Sequence, residues 1–205
     1  MTAQSDRVPQ KILSRPHASA GAHRWGKKSP APVGFHPAGA SLGQTYTEGD
    51  AMTSEHELVL TRLIDAPREN LFRCWTEPSL LKQWFAPTPF TTPVAEVDLR
   101  VGGASRIVMQ APDGKEIPCP GTYLEIVPNR KLVFTDAYTG DWMPTTSGKP
   151  FMTAIITFDD EGGKTRYTAT VRHWSAEDKK AHEDMGFHRG WGQCADQLAA
   201  LAKTL

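Results

Sequence analysis

Cysteine is scarce in this chain. Cys74, Cys119 and Cys194 are odd in number, widely spaced and form no CxxC pair. That excludes a disulfide framework and a thiolate zinc site, and fits buried reduced thiols in a cytoplasmic protein. Long apolar runs are missing too, and none approaches the roughly 20 residues a membrane helix needs. There is no signal-peptide core, so no membrane association is expected. Neither charge sign is in excess, with 23 Lys and Arg against 23 Asp and Glu, so no basic field points to nucleic acid. Phosphate-cradling glycine motifs are absent, as is a Gly-x-Ser-x-Gly elbow. Gly102 and Gly103 are only a pair and sit between strand-like segments. No nucleotide or other cofactor is indicated.

Residues 1–51 also lack a sustained helical or alternating period. They are rich in Ser, Ala, Gly and Pro, and six basic groups face three acidic ones. Such a segment buries too little apolar surface to offset its ordering entropy, so disorder is expected. The composition also fits a targeting segment, and Met52 is an alternative true start because patterned sequence begins just after it. The folded domain is expected over residues 52–205.

What is present organises around the last stretch. Ser175 followed by Asp178 is a capping pattern, with Glu177 and Asp178 at the positive end of a helix dipole. Beyond it Phe187, Trp191, Cys194, Leu198, Leu201 and Leu205 recur at steps of 4, 3, 4, 3 and 4, one apolar stripe of a helix. Read as one element, Ser175–Leu205 is a helix roughly 40 Å long. Gly186, Gly190 and Gly192 flank its aromatics and each costs about 1 kcal/mol against Ala. They point to a kink, or to a close approach by another backbone or a ligand.

Ahead of that helix, Leu58–Ile64 reads as a strand. Asp65 and Pro67 open a short helix bearing Leu71, Phe72 and Trp75, and Ser79–Phe85 gives a second. Six strands follow in hairpin order: Val94–Val101, Ser105–Gln110, Thr122–Val127, Lys131–Asp136, Phe151–Phe158 and Arg166–Trp174. Turn chemistry separates them, as at Pro112-Asp113-Gly114 and Glu161-Gly162-Gly163. Consecutive strands on short turns make an antiparallel meander with one face to cover, and only the terminal helix is long enough to cover it. The expected fold is α+β: a curved seven-stranded antiparallel sheet gripping a long C-terminal helix, with two short helices after the first strand.

His182 and His188 superficially suggest a metalloprotease helix. They are six residues apart, about 600° of rotation, and face different sides, so no metal site is expected. His173 shares a strand face with Tyr167, Ala169 and Val171. It reads either as a polar anchor or acid–base group inside an apolar cavity, or as a half-exposed residue near a strand end. Arg106 reads as a cross-strand surface pair, or if buried as a partner of Asp136 or Glu125.

Several segments together carry a family likeness: RLIDAPRE (Arg62–Glu69), LFRCW (Leu71–Trp75), PSLLKQW (Pro78–Trp84), RVGG (Arg100–Gly103), Asp113-Gly114, GTYLEI (Gly121–Ile126) and MGFHRGW (Met185–Trp191). Over roughly Glu57–Leu205 the chain resembles the SRPBCC (START-like) superfamily. The branch is the one similar to the C-terminal domain of the activator of the 90-kDa heat-shock protein ATPase. The resemblance implies a helix-grip fold and three functions. The leading one is non-enzymatic binding of a small apolar or aromatic ligand between sheet and helix. The second is a co-chaperone-like module whose partner is a chaperone. The third is a polyketide-cyclase-like enzyme using His173 with Tyr123 or Asp136. Candidate ligand-binding residues are Trp84, Phe85, Phe134, Trp142, Met152, Ile156, His173, Met185, Phe187 and Trp191, with Trp142 closing the mouth from the loop Ala137–Pro150. No residue is assigned a catalytic role.

Overall fold

A computed structural model describes residues 55–146 and 151–205. The expectations for residues 1–51 and for Met52, and the end of the 137–150 loop, lie outside these.

The order is β1 (Glu57–Ile64), α1 (Arg68–Thr76), α2 (Pro78–Leu81), β2 (Thr91–Val97), β3 (Ala104–Gln110), β4 (Glu116–Val127), β5 (Lys131–Thr135), β6 (Thr153–Glu161), β7 (Lys164–Arg172), α3 (Ala176–Asp184) and α4 (Phe187–Ala202). The seven strands form one sheet in the order β1-β7-β6-β5-β4-β3-β2, antiparallel throughout. Five hairpin neighbours thus run in sequence, and β1 closes onto β7 from Glu57 opposite Arg172 to Ile64 opposite Thr165. Alternation drives this arrangement: Ala154, Ile156 and Phe158 on β6, and Tyr167, Ala169 and Val171 on β7, are all buried on the face the helices cover. α1 presents Leu71, Phe72, Cys74 and Trp75 to the same core.

The C-terminal stretch is two helices rather than one. Gly186 adopts φ 93°, a left-handed conformation that ends α3, and its N–H donates to the Glu183 carbonyl. A left-handed glycine just past a helix satisfies orphan carbonyls at no Cβ cost. The Gly186 carbonyl then accepts from Gly190 N–H and starts α4 in a new direction. At 16 residues α4 is roughly 24 Å long. The Ser175 cap is present: its Oγ accepts from Asp178 N–H at 3.1 Å. α4 packs against α1 and β1. Phe187, Ala195, Leu198 and Ala202 are its buried apolar residues, while Leu205 at the end of the stripe is exposed. Asn70 Nδ2 caps the Ala202 carbonyl at 3.0 Å. Gln197 clamps the α2–β2 loop, donating to the carbonyls of Trp84 (2.9 Å) and Ala86 (2.8 Å) and accepting from Thr88 N–H and Oγ1.

Five other boundaries also differ from expectation. α1 is preceded by Pro67 rather than capped by Asp65, and α2 stops at Leu81. β2 begins at Thr91 and its register with β3 shifts between Thr91 and Val94, around Pro93. β4 begins at Glu116, because Pro118 and Pro120 sit opposite Val108 and Arg106 on the β3 side while β5 pairs only with Thr122–Val127. Proline fits a strand where one edge needs no donor. β6 begins at Thr153. Ahead of it the Asp136 carboxylate accepts the N–H groups of Phe151 (2.7 Å) and Met152 (3.1 Å) in place of a ladder bond.

Candidate functional site

Two of these features open the sheet face. α4 sits toward the β1 side, over α1, and β5 leaves the first half of β4 unpaired on one edge. Between them lies a cavity of about 500 Å³, walled by β3, β4 and β5 on one side and by the α3–α4 junction and the first half of α4 on the other.

The wall is aromatic. Trp75 stacks edge-to-face on Trp84 (4.8 Å between centroids) and Phe85 (6.3 Å), and tilts against Phe134 (5.8 Å). A second cluster gathers Phe151, His182, Phe187 and Trp191: His182 lies 4.9 Å from Phe151 and 5.1 Å from Phe187, and Phe187 lies 5.3 Å from Trp191. Gly190 contributes bare helix surface, since a Cβ there would meet nothing within 4 Å. A Cβ on Gly192 would instead meet the Arg62 guanidinium at 3.1 Å, so the two glycines beside Trp191 serve different ends.

Seven of the ten residues expected from sequence line this cavity: Trp84, Phe85, Phe134, Met152, Met185, Phe187 and Trp191. Three do not. Ile156 is fully buried in the core, where α1 packs on β6 and Phe72 meets Phe158 at 6.0 Å. Trp142 is half exposed and faces away. Its loop is tied to the β2–β3 turn by Arg100 to Asp141 (2.7 Å) and by Asp141 N–H to the Gly102 carbonyl (2.7 Å), and its indole lies over Gly102. His173 is buried, as the first of its two readings requires, but it stands behind His182 and does not reach the cavity. Arg106 is an exposed cross-strand partner of Glu96 at 3.1 Å.

The polar groups in the wall come mostly from residues the sequence did not single out. Tyr167, Ser105, Cys119, Cys194 and His182 join Tyr123 and Asp136. Burial holds most of them neutral. It pushes the Cys119 thiol up to about 11 and the Cys194 thiol up to about 12, so neither is a thiolate nucleophile at neutral pH. The Tyr123 phenol is pushed up to about 12 by burial, partly offset by Ser105, and the Tyr167 phenol is raised by burial as well. His182 is pushed down to about 4 by burial and by His173 beside it. Trp75 Nε1 is buried and makes no hydrogen bond of normal geometry, although it faces the Tyr167 hydroxyl. Asp136 is the only carboxylate among the lining residues, and no Lys or Arg is present there. His182 was legible in one respect: it is the single ring in α3, whose other residues are charged or Ala. Among the described residues no three His, Cys, Asp or Glu side chains converge as a metal site.

Comparison with known proteins places this geometry. Residues 65–203 match the family of Activator of Hsp90 ATPase homolog 1-like proteins. The chain belongs to that family. Its fold is the SRPBCC helix grip, shared with a crystal structure of a Nitrosomonas europaea protein at 39% identity and a TM-score of 0.70, covering 74% of this chain and 96% of that one. A Mycobacterium smegmatis protein is 26% identical with a TM-score of 0.62, covering 76% and 95%. A solution structure titled as the AHSA1-like protein from Aeromonas hydrophila is 20% identical with a TM-score of 0.57, covering 72% and 92%, and shares the fold. No curated protein matches. Among the described residues no helix is long and apolar enough to cross a membrane.

Proposed function

We propose that this AHSA1-like domain binds a small apolar or aromatic molecule in the cavity between α4 and β3–β5, without chemically changing it. The observation that carries the reading is the cavity itself. Its volume of about 500 Å³ falls in the range of small-molecule sites, and its aromatic wall carries a few placed polar groups. Each 100 Å² of apolar ligand surface removed from water contributes about 2.5 kcal/mol. A binding role is preferred over a cyclase-like one for two reasons. His173 does not meet Tyr123 or Asp136 in the cavity. The histidine that lines the cavity, His182, is pushed by burial and by His173 well below the range of a general base suited to neutral pH.

A second reading follows from the family and from one surface feature. Leu99, Val101, Trp142 and Met143 are exposed at neighbouring turns, with Trp142 lying on Gly102. A chaperone partner would dock there rather than in the cavity. A pulldown with the 90-kDa chaperone using wild type and Trp142→Ala addresses it.

The ligand reading is tested by native mass spectrometry of the full chain purified from its own cells, beside Gly190→Phe. The substitution places a ring at the cavity wall and replaces a glycine that weakens the helix by about 1 kcal/mol. A small-molecule adduct is expected on wild type and not on the folded variant. Wild type without an adduct, or an equal adduct on both, would count against the cavity as the binding site.

A further inference from the structure

The hydrogen bonds behind the cavity fix the proton positions of two histidines. The His56 backbone carbonyl can only accept, and it lies 3.1 Å from His173 Nδ1. Nδ1 of His173 therefore carries a proton, and with that single proton on the ring Nε2 is a lone pair. That lone pair lies 2.9 Å from His182 Nδ1, which must donate to it. His182 Nε2 is then the unprotonated nitrogen. It makes no hydrogen bond among the described residues, and it belongs to a side chain in the cavity wall, ringed by Phe151, Phe187 and Trp191. The His173 backbone N–H goes to the same His56 carbonyl at 3.0 Å, so the relay is anchored at its outer end on the backbone of the turn residue just before β1.

We propose that His182 Nε2 is a fixed hydrogen-bond acceptor that selects, among apolar or aromatic ligands, those carrying an O–H or N–H donor, with His173 as the positioning residue that sets its tautomer. This rests on the cavity-binding reading above. An acceptor buried among rings has no water to turn to when an apolar molecule fills the space, so a ligand without a donor leaves it unpaired. Burial keeps His182 neutral through the physiological range, so the acceptor is not lost to protonation there. The one carboxylate among the lining residues is that of Asp136. Both its oxygens already accept backbone N–H groups, from Phe151 and Met152, which makes it the weaker competitor for a donor. Tyr123 and Tyr167 line the same cavity as neutral phenols and serve as donors to other parts of a ligand.

The test uses a matched pair of probes, 2-naphthol and 2-methoxynaphthalene, which differ by methylation of the one donor. Binding to the full chain is read by quenching of its tryptophans, three of which line the cavity. Wild type is expected to prefer 2-naphthol by about tenfold. His182→Phe is expected to bind both equally, and Asp136→Asn to keep the preference. His173→Phe, which leaves His182 in place but frees its tautomer, should reduce the preference without removing binding. Long-range proton–nitrogen spectra of unliganded wild type need no variant and should show His182 protonated at Nδ1. Equal binding of both probes by wild type, a preference that survives His182→Phe, or His182 protonated at Nε2 would overturn the proposal. Binding of neither probe would instead overturn the cavity reading on which it rests.

Discussion

Leu198→Ala is expected to destabilise the domain by about 3–5 kcal/mol, and Trp191→Ala by only about 1–2 kcal/mol. The order is the reverse of what side-chain size suggests. Leu198 is fully buried in the main core, so its truncation leaves a void that close-packed neighbours fill incompletely. Trp191 lies seven residues before Leu198, about two turns along the same helix stripe, yet one side of its ring faces the cavity and lacks partner atoms already. Urea unfolding of both variants at pH 7 measures the two losses. A Trp191→Ala loss equal to or larger than that of Leu198→Ala would mean that Trp191 is packed core.

The second large effect is on acid stability. His182 is neutral when folded, with its pKa held near 4 against an ordinary 6.5. Unfolded chains therefore bind a proton at this residue that the folded state refuses. The stability this group contributes is fully present above about pH 6.5 and is lost progressively as pH falls toward 4, by roughly 3 kcal/mol in all. His182→Gln removes the titration while keeping a polar side chain of similar reach. Between pH 7 and pH 4 wild type should therefore lose roughly 3 kcal/mol more than the variant, measured by urea midpoints at each pH. Parallel curves for the two proteins would show that His182 titrates normally in the fold.

Much of the architecture was legible because it is written in local chemistry. Pro112-Asp113-Gly114 and Glu161-Gly162-Gly163 do terminate hairpins, the alternation on β6 and β7 does mark the buried face, and Ser175 does cap a helix. The failures share a different origin, which is that tertiary partners decide them. Gly186 was visible as a weak point, but whether a glycine bends or ends a helix depends on its φ, and 93° ends it. Pro118 and Pro120 hid the first half of β4, since only the shortness of β5 leaves their edge free. Trp142 was an apolar tip on a long loop, and nothing local says that Arg100 and Gly102 draw that loop away from the cavity. From sequence His182 reads only as half of a failed metal motif. Its spacing to His188 is irrelevant, because its partner is His173, on the extended segment that follows another element.

The cavity as a binding site is tested most directly by mapping amide chemical shifts on adding 2-naphthol to the full chain. Shifts are expected at Gly121, Tyr123, Met152, Gly190 and Trp191, on the two walls of the cavity, with Trp142 and β1 unmoved. Shifts centred on Leu99, Val101, Trp142 and Met143 with the cavity walls silent would contradict the account.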